Sequence, residues 1–412
     1  MDKTTRRRFL IASGVVGGGA LAAGAATLSL TDLFDTAGER PEGAKTLVVI
    51  TLYGGNDGLN TVVPHADKAY QDARPELAYD GGEVLRLDDG TGLNPGLKGL
   101  HGLFGTKRLA IVRGVGYPKP DRSHFRSMDI WQTASPERPG NTGWIGRWLD
   151  GAGADPRLAV SFEKVLPPLL AGQNCAGAVI GAADAKLPKA VTADVLAGLA
   201  APAAGEPPLQ ARAAACFGDL ARVREMAQQV KDAADEEDGT DGGDDTPAAT
   251  GTGGLAGLQA QLGLVAQCIE AGVATRVFSV SLGGFDTHAD ERNLQETLLS
   301  YLDRGVTAFY QRINAHPAGR DVVVLIYSEF GRRVRANASD GTDHGTASNV
   351  FLLGESVPGG LYGEQPSLTD LDDGDLKFTT DFRDVYATVL DRVLQDDPGR
   401  ALGGWQDSLS WW

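Results

Sequence analysis

The sequence has little cysteine: Cys175, Cys216 and Cys268 among 412 residues. An odd set permits at most one bridge, so no disulfide framework holds this chain together. Their spacing fits neither a zinc ribbon nor a redox pair, and packing is the default role of such a thiol. Basic charge is also in deficit. Lys and Arg number 38 against 54 Asp and Glu, a net charge of −16. An acidic chain repels phosphate backbones, and no basic patch occurs beyond the N-terminus, so nucleic acid is excluded as a partner class. Several catalytic signatures are missing. No GxSxG elbow, Walker loop, HExxH or GxGxxG after the first apolar run occurs. Serine-hydrolase, nucleotide and zinc-protease readings therefore lack their usual starting points.

The N-terminus carries the first positive signal. Thr5-Arg6-Arg7-Arg8-Phe9-Leu10 precedes a Gly- and Ala-rich stretch over 11–30. A twin arginine before a weakly apolar region reads as a bacterial export signal. Ala23-Gly24-Ala25 offers small residues for cleavage. The stretch has the length of a membrane span but is too rich in glycine for a stable one. Residues 1–30 are therefore expected to be a twin-arginine signal peptide. Its partner is the twin-arginine export machinery, and the mature form is expected in the periplasm, at the cell wall or outside the cell. A second anomaly is 231–254, with eight acids between Asp232 and Asp245 and almost nothing apolar. It reads as a disordered acidic insertion. Its spacing does not match an EF-hand.

The rest, 44–412, reads as a single domain. Val/Ile/Leu-rich runs at 46–53, 108–115, 158–162, 276–282, 322–327 and 349–353 predict strands. Runs apolar on both faces belong to a mainly parallel sheet. Helical patterns fall at 122–133, 143–149, 255–271, 291–315 and 381–394. The alternation predicts an α/β fold, a three-layer α/β/α sandwich.

The chemistry-bearing residues follow strands, where open α/β sheets bind ligands. Asp57 follows the first strand, Ser123 and His124 the second, and Asp286 and His288 the fourth. Glu329 follows the fifth, and Asp343 and His344 precede the sixth. Carboxylates with neutral imidazoles suit one or two divalent metal ions. Each has a plainer reading. Asp57 can shape a turn, Ser123 can cap a helix, His124 can pack, and Glu329 can pair with Arg332 or Arg333.

Taken together, LVVITLYGGNDGLNTVVP, RSHFRSMDIWQTA, TGWIGRWL, GGFDTHAD, YSEFGRR and DHGTASN resemble a bacterial twin-arginine-exported family, domain of unknown function 1501. That family is similar to the alkaline phosphatase and sulfatase superfamily. The resemblance implies an alkaline-phosphatase-like sandwich with a two-metal site. It implies Asp286, His288 and His344 on one metal, and Asp57 and Glu329 with His124 on the other. It implies Ser123 as nucleophile. Where the superfamily has Asp-His-Gly, this chain reads Glu329-Phe330-Gly331, and Phe330 cannot ligate, so His124 or Asn56 must fill the gap. No Cys or Ser sits in the C/S-x-P/A-x-R pattern that a formylglycine sulfatase needs.

The function expected from this is exported, metal-dependent hydrolysis of a phosphate or sulfate ester, on a small-molecule or glycan substrate. Arg122 or Arg126 would bind the transferring group, because guanidinium matches its oxygens bidentately. One alternative has water attack directly, with Ser123 as a helix cap. Another is a non-catalytic binding or structural protein on a degenerate hydrolase fold.

Overall fold

The computed structural model describes residues 33–138, 140–163, 165–180 and 254–412, with 26–27 and 198. The signal peptide and acidic insertion expected from sequence lie outside the described residues, apart from 26–27 and Gly254. So does Cys216. Among the described residues, Cys175 and Cys268 are free thiols, and no helix is long and apolar enough to cross a membrane.

The six apolar runs all form strands. They are β1 (Thr46–Leu52), β2 (Leu109–Gly116), β3 (Ala159–Ser161), β5 (Val277–Leu282), β6 (Val322–Ser328) and β7 (Ser348–Leu353), with short β4 (Ala178–Val179) and β8 (Gly360–Tyr362) added. The sheet order is β4-β3-β5-β1-β6-β7-β2-β8, with Ala26–Thr27 beside β4. Strands β3, β5, β1 and β6 pair in parallel.

The β1 run is buried along its whole length because it is covered on both faces. Val48, Ile50 and Leu52 enter one core with α3 (Gly254–Glu270) and α4 (Glu291–Asn314). Leu47 and Val49 enter the other, with α1 (His124–Thr133), α2 (Trp144–Gly151) and α5 (Phe382–Val389). Side chains alternate across a strand, so adjacent residues serve opposite layers. Burying each such side chain stabilises the fold by roughly 1.5–3 kcal/mol. The result is the expected three-layer sandwich.

One strand departs from the parallel pattern in a way that matters. β7 runs antiparallel to both β6 and β2. Its N-terminal end therefore shares an edge with the C-terminal ends of β1, β2, β5 and β6. The loop before β7 lands where the loops after the other four land. Two differences from the sequence reading are local. α1 starts at His124, with Ser123 in extended backbone at the N-cap. Leu33 is fully buried in the core, earlier than the boundary at 44.

Candidate metal centre

The loops at this edge approach closely because glycine permits it. Gly54 and Gly55 follow β1 with φ of 114° and 71°. A Cβ on Gly54 would meet the backbone of Phe285 and Asp286, and one on Gly55 would meet the Phe330 ring. Glycine alone occupies such positive φ without strain. These contacts bring the β1, β5 and β6 loops together.

His124, Asp286 and His344 each offer a ligand atom within 4.8 Å of the others. His124 Nε2 lies 3.0 Å from His344 Nε2 and 3.3 Å from Asp286 Oδ1. His344 Nε2 lies 3.2 Å from the same oxygen. His288 joins them, its Nε2 2.9 Å from His344 Nε2 and 3.0 Å from Asp286 Oδ1.

The outer partners set which atoms point inward. His344 Nδ1 is 2.8 Å from the Arg122 carbonyl. A carbonyl only accepts, so Nδ1 carries the hydrogen and Nε2 presents a lone pair. Burial, the largest influence, holds the His344 pKa below its ordinary value and keeps the ring neutral. His124 Nδ1 is 2.8 Å from Glu329 Oε1, and donation to that carboxylate turns the Nε2 lone pair inward too whenever the ring is neutral. Lone pairs from two imidazoles and one carboxylate then face a common point. That is repulsive unless positive charge sits between them. Burial lowers the His124 pKa, but the Glu329 and Asp286 carboxylates outweigh burial and raise it, so without an ion the same charge is met by a proton on the ring. Asp286 stays ionised. Burial pushes its pKa up, but Arg332 and then His124 bring it down to about 2.

Glu329 orients the cluster from behind. Its Oε1 accepts from His124 and from Gly54 N at 2.9 Å, and its Oε2 accepts from Ser328 Oγ at 2.9 Å. Both oxygens are engaged by donors within the chain. A carboxylate that fixes the tautomer of a ligating histidine is a recurrent second layer of metal sites.

Asp57 is also engaged within the chain. Its Oδ2 is ion-paired with Arg74, and its Oδ1 accepts from Leu59 N at 3.1 Å. Both side chains are fully buried. Burial raises the Asp57 pKa, but Arg74 more than offsets it and the group is held below the carboxylate range. Glu291 lies beside it. Burial and then the Asp57 charge push its pKa well above the usual range. Asp57 thus caps a short helix at Gly58–Thr61 and neutralises a buried guanidinium. Asn56 does not fill the gap either, because its side chain bonds Thr61 and Gln295.

The two expected anion binders are also occupied. Arg122 pairs with Asp373 and Asp375, and Arg126 with Asp129. What Arg122 gives the centre is its carbonyl. Ser123 is exposed at the head of α1, and its hydroxyl makes no capping hydrogen bond. Phe330 is buried against the imidazoles, its ring centre 4.9 Å from that of His124 and 5.0 Å from that of His344.

Sequence reasoning missed Arg74 and saw Arg332 only as a candidate partner of Glu329. Arg332 donates to the carbonyls of Gly54, Gly55, Phe285 and Thr342 and to Asp286 Oδ1 at 2.8 Å. It ties the loops after β1 and β5 to the single loop that joins β6 to β7, and does not reach Glu329. The adjacent Arg333 turns to Asp375 instead. Nothing in the Arg-Arg dipeptide distinguishes the clamp from its neighbour.

The fold and site define an α/β/α protein with an imidazole–carboxylate cluster at the strand C-terminal edge. The chain belongs to the family described as protein of unknown function (DUF1501), which matches residues 116–402. No curated protein matches the sequence. Among solved structures it is similar to an alkaline phosphatase superfamily protein from Vibrio parahaemolyticus, with TM-score 0.40 and 10% identity over 98% of this chain and 78% of that one. It is similar to the lipoteichoic acid synthase LtaP from Listeria monocytogenes, with TM-score 0.40 and 11% identity over 92% and 81%. It is also similar to a phosphonate monoester hydrolase of Agrobacterium radiobacter, with TM-score 0.39 and 9% identity over 89% and 78%.

Proposed function

We infer that this protein is an exported hydrolase of phosphate or sulfate esters that uses a divalent metal ion. The observation that carries this reading is the convergence of ligand-type atoms from His124, His344 and Asp286 within 4.8 Å of one another. These three residues, with His288 beside them, would hold the ion. Borderline divalent ions suit such mixed nitrogen and oxygen donors. An ion there lowers the pKa of an oxygen nucleophile and offsets charge on the transferring group.

The protein's own residues supply the rest. Glu329 and the Arg122 carbonyl fix the two tautomers. Arg332 keeps Asp286 ionised and in place. Ser123 is the candidate nucleophile. Its free hydroxyl sits at the N-terminus of a ten-residue helix, where the backbone dipole favours developing negative charge. With Asp57 and Glu329 both engaged elsewhere, the residues present fit one ion better than two. The N-terminal twin arginine supports export, as read from sequence.

A second reading has an observation in its favour. Arg122 and Arg126 are both taken up by aspartates, which leaves neither free to bind the transferring group. That favours a non-catalytic binding or structural protein on the same scaffold. A panel of aryl phosphate monoesters, diesters and sulfates, each run with several divalent metals, separates the two. The hydrolase reading expects metal-dependent turnover of at least one ester, abolished in Ser123→Ala. Absence of turnover across the panel favours the binding protein. Full activity of Ser123→Ala would remove the serine from the mechanism and leave direct attack by water.

A further inference from the structure

Asp372-Asp373-Gly374-Asp375 is a turn signal, since Asp-Gly suits the two positive φ angles of a tight hairpin turn. Asp373 and Gly374 have φ of 50° and 85°. Asp372 and Asp375 exchange backbone N–H to carbonyl bonds of 2.9 and 3.0 Å. The turn leaves the Asp373 side chain 81% exposed and that of Asp375 only 1% exposed. Glycine also lets Arg333 come close, because a Cβ on Gly374 would stand 3.1 Å from Arg333 Nη2.

The buried carboxylate stands between two guanidiniums. Asp375 Oδ2 is ion-paired with Arg122, and its Oδ1 lies 3.3 Å from Arg333 Nε. Each arginine reaches the His344 segment through its own backbone. The Arg122 carbonyl accepts from His344 Nδ1 at 2.8 Å. The Arg333 N–H donates to the Asp343 carbonyl at 3.0 Å, beside an antiparallel bridge between Arg332 and His344. Just past His344, Thr346 Oγ1 donates to the Leu376 carbonyl at 2.6 Å and ties the same turn to the loop. One carboxylate therefore anchors both backbone groups that frame the imidazole. Arg122 also meets Asp373, at 3.1 Å. That second pair is exposed, where water replaces a lost partner and the pair contributes little. A buried carboxylate has no such replacement, so its partners are held firmly.

We propose that Asp375 is a positioning residue for His344. It anchors Arg122 and so fixes the carbonyl that keeps the hydrogen on His344 Nδ1 and the lone pair on Nε2, toward the cluster. Through Arg333 it also holds the backbone next to His344. The consequence for ion affinity rests on the metal reading of the centre. The consequence for the imidazole itself does not.

The test reads the imidazole and the ion separately. The full chain, labelled at its histidine nitrogens and stripped with chelator, gives the His344 tautomer by NMR, with His344→Ala for assignment. Zinc affinity is measured by isothermal titration, and ligand geometry by the visible spectrum of cobalt-loaded protein. The unsubstituted protein is expected to hold His344 as the Nδ1–H tautomer alone. Asp375→Asn keeps the shape and removes the charge. It is expected to populate both tautomers, to alter the cobalt spectrum and to weaken zinc by about tenfold, as loss of an outer partner of a ligating histidine does. Arg122→Met, at a partly exposed position, is expected to do the same, and it decides should Asp375→Asn fail to fold. Asp373→Asn removes only the exposed charge and suits the positive φ, so all three readouts should stay unchanged. A single tautomer and equal zinc affinity in Asp375→Asn and Arg122→Met overturn the proposal, as does an equal effect of Asp373→Asn. A tautomer shift in a protein that binds no ion would remove the metal reading and keep the positioning role. Zinc binding with the tautomer unmoved by any variant would do the reverse.

Discussion

Replacing Arg74 with Met tests whether Asp57 is structural. Arg74 pairs with Asp57, donates to Asn60 Oδ1 at 3.2 Å and to the Val334 carbonyl at 2.7 Å, and reaches the Arg333 carbonyl. Arg74→Met leaves a fully buried carboxylate without its cation. Breaking a buried pair in this way costs about 3–5 kcal/mol. Protonating Asp57 offers no cheaper escape. At pH 7 that costs about 4 kcal/mol, from roughly 1.4 kcal/mol per unit above an ordinary aspartate pKa. Lost bonds to the two carbonyls add to this. Domains are typically stable by only about 5–15 kcal/mol. At roughly 2 °C per kcal/mol for a large domain, melting should fall by about 10 °C. The Asp57→Asn, Arg74→Met double variant should recover at least half of the loss. It removes both charges and keeps a good N-cap residue. The assay is thermal and urea unfolding of chelator-treated protein, with metal binding measured in parallel. If Asp57→Asn leaves metal-free stability unchanged but weakens metal binding, Asp57 is a ligand and the reasoning fails.

Three further outcomes are expected. Glu329→Gln should lower metal affinity about 10–100-fold with circular dichroism unchanged, because it disturbs the tautomer of His124; equal affinity would contradict the orienting role. Ser123→Ala should keep full metal binding while losing turnover, as read by isothermal titration and product release. Glu163 tests pH linkage. It is buried against Ser279 Oγ at 2.8 Å, and burial raises its pKa above the ordinary glutamate value. Its folded state holds the proton more tightly than its unfolded state. That contribution is therefore present below the ordinary glutamate range and lost as pH rises through the raised value. Glu163→Gln should flatten urea stability over that window, and an unchanged slope would contradict the sign.

The sheet was legible because β1, β5 and β6 are buried on both faces and so read as unbroken apolar runs. The strand-end placement of His124, Asp286, His288 and His344 was legible for the same reason: motif and strand are adjacent in sequence. What could not be read is which charge meets which. Asp57 and Glu329 occupy the positions expected of ligands, yet one meets Arg74, 17 residues away, and the other meets the far side of His124, across 205 residues. The antiparallel β7, which carries His344 to the common edge, was also not legible. A buried strand has the same apolar pattern in either direction.

Metal binding by the cluster is tested most directly by the melting temperature of the full chain. The protein is stripped with chelator and then titrated with zinc, manganese, magnesium and calcium, beside His344→Ala and Asp286→Asn. At least one ion should bind saturably to the unsubstituted protein and raise its stability, by about 2.7 kcal/mol at a hundredfold excess over its Kd. Both variants should lose that rise. No shift with any ion, or the same shift in all three proteins, would contradict a metal centre at His124, Asp286 and His344.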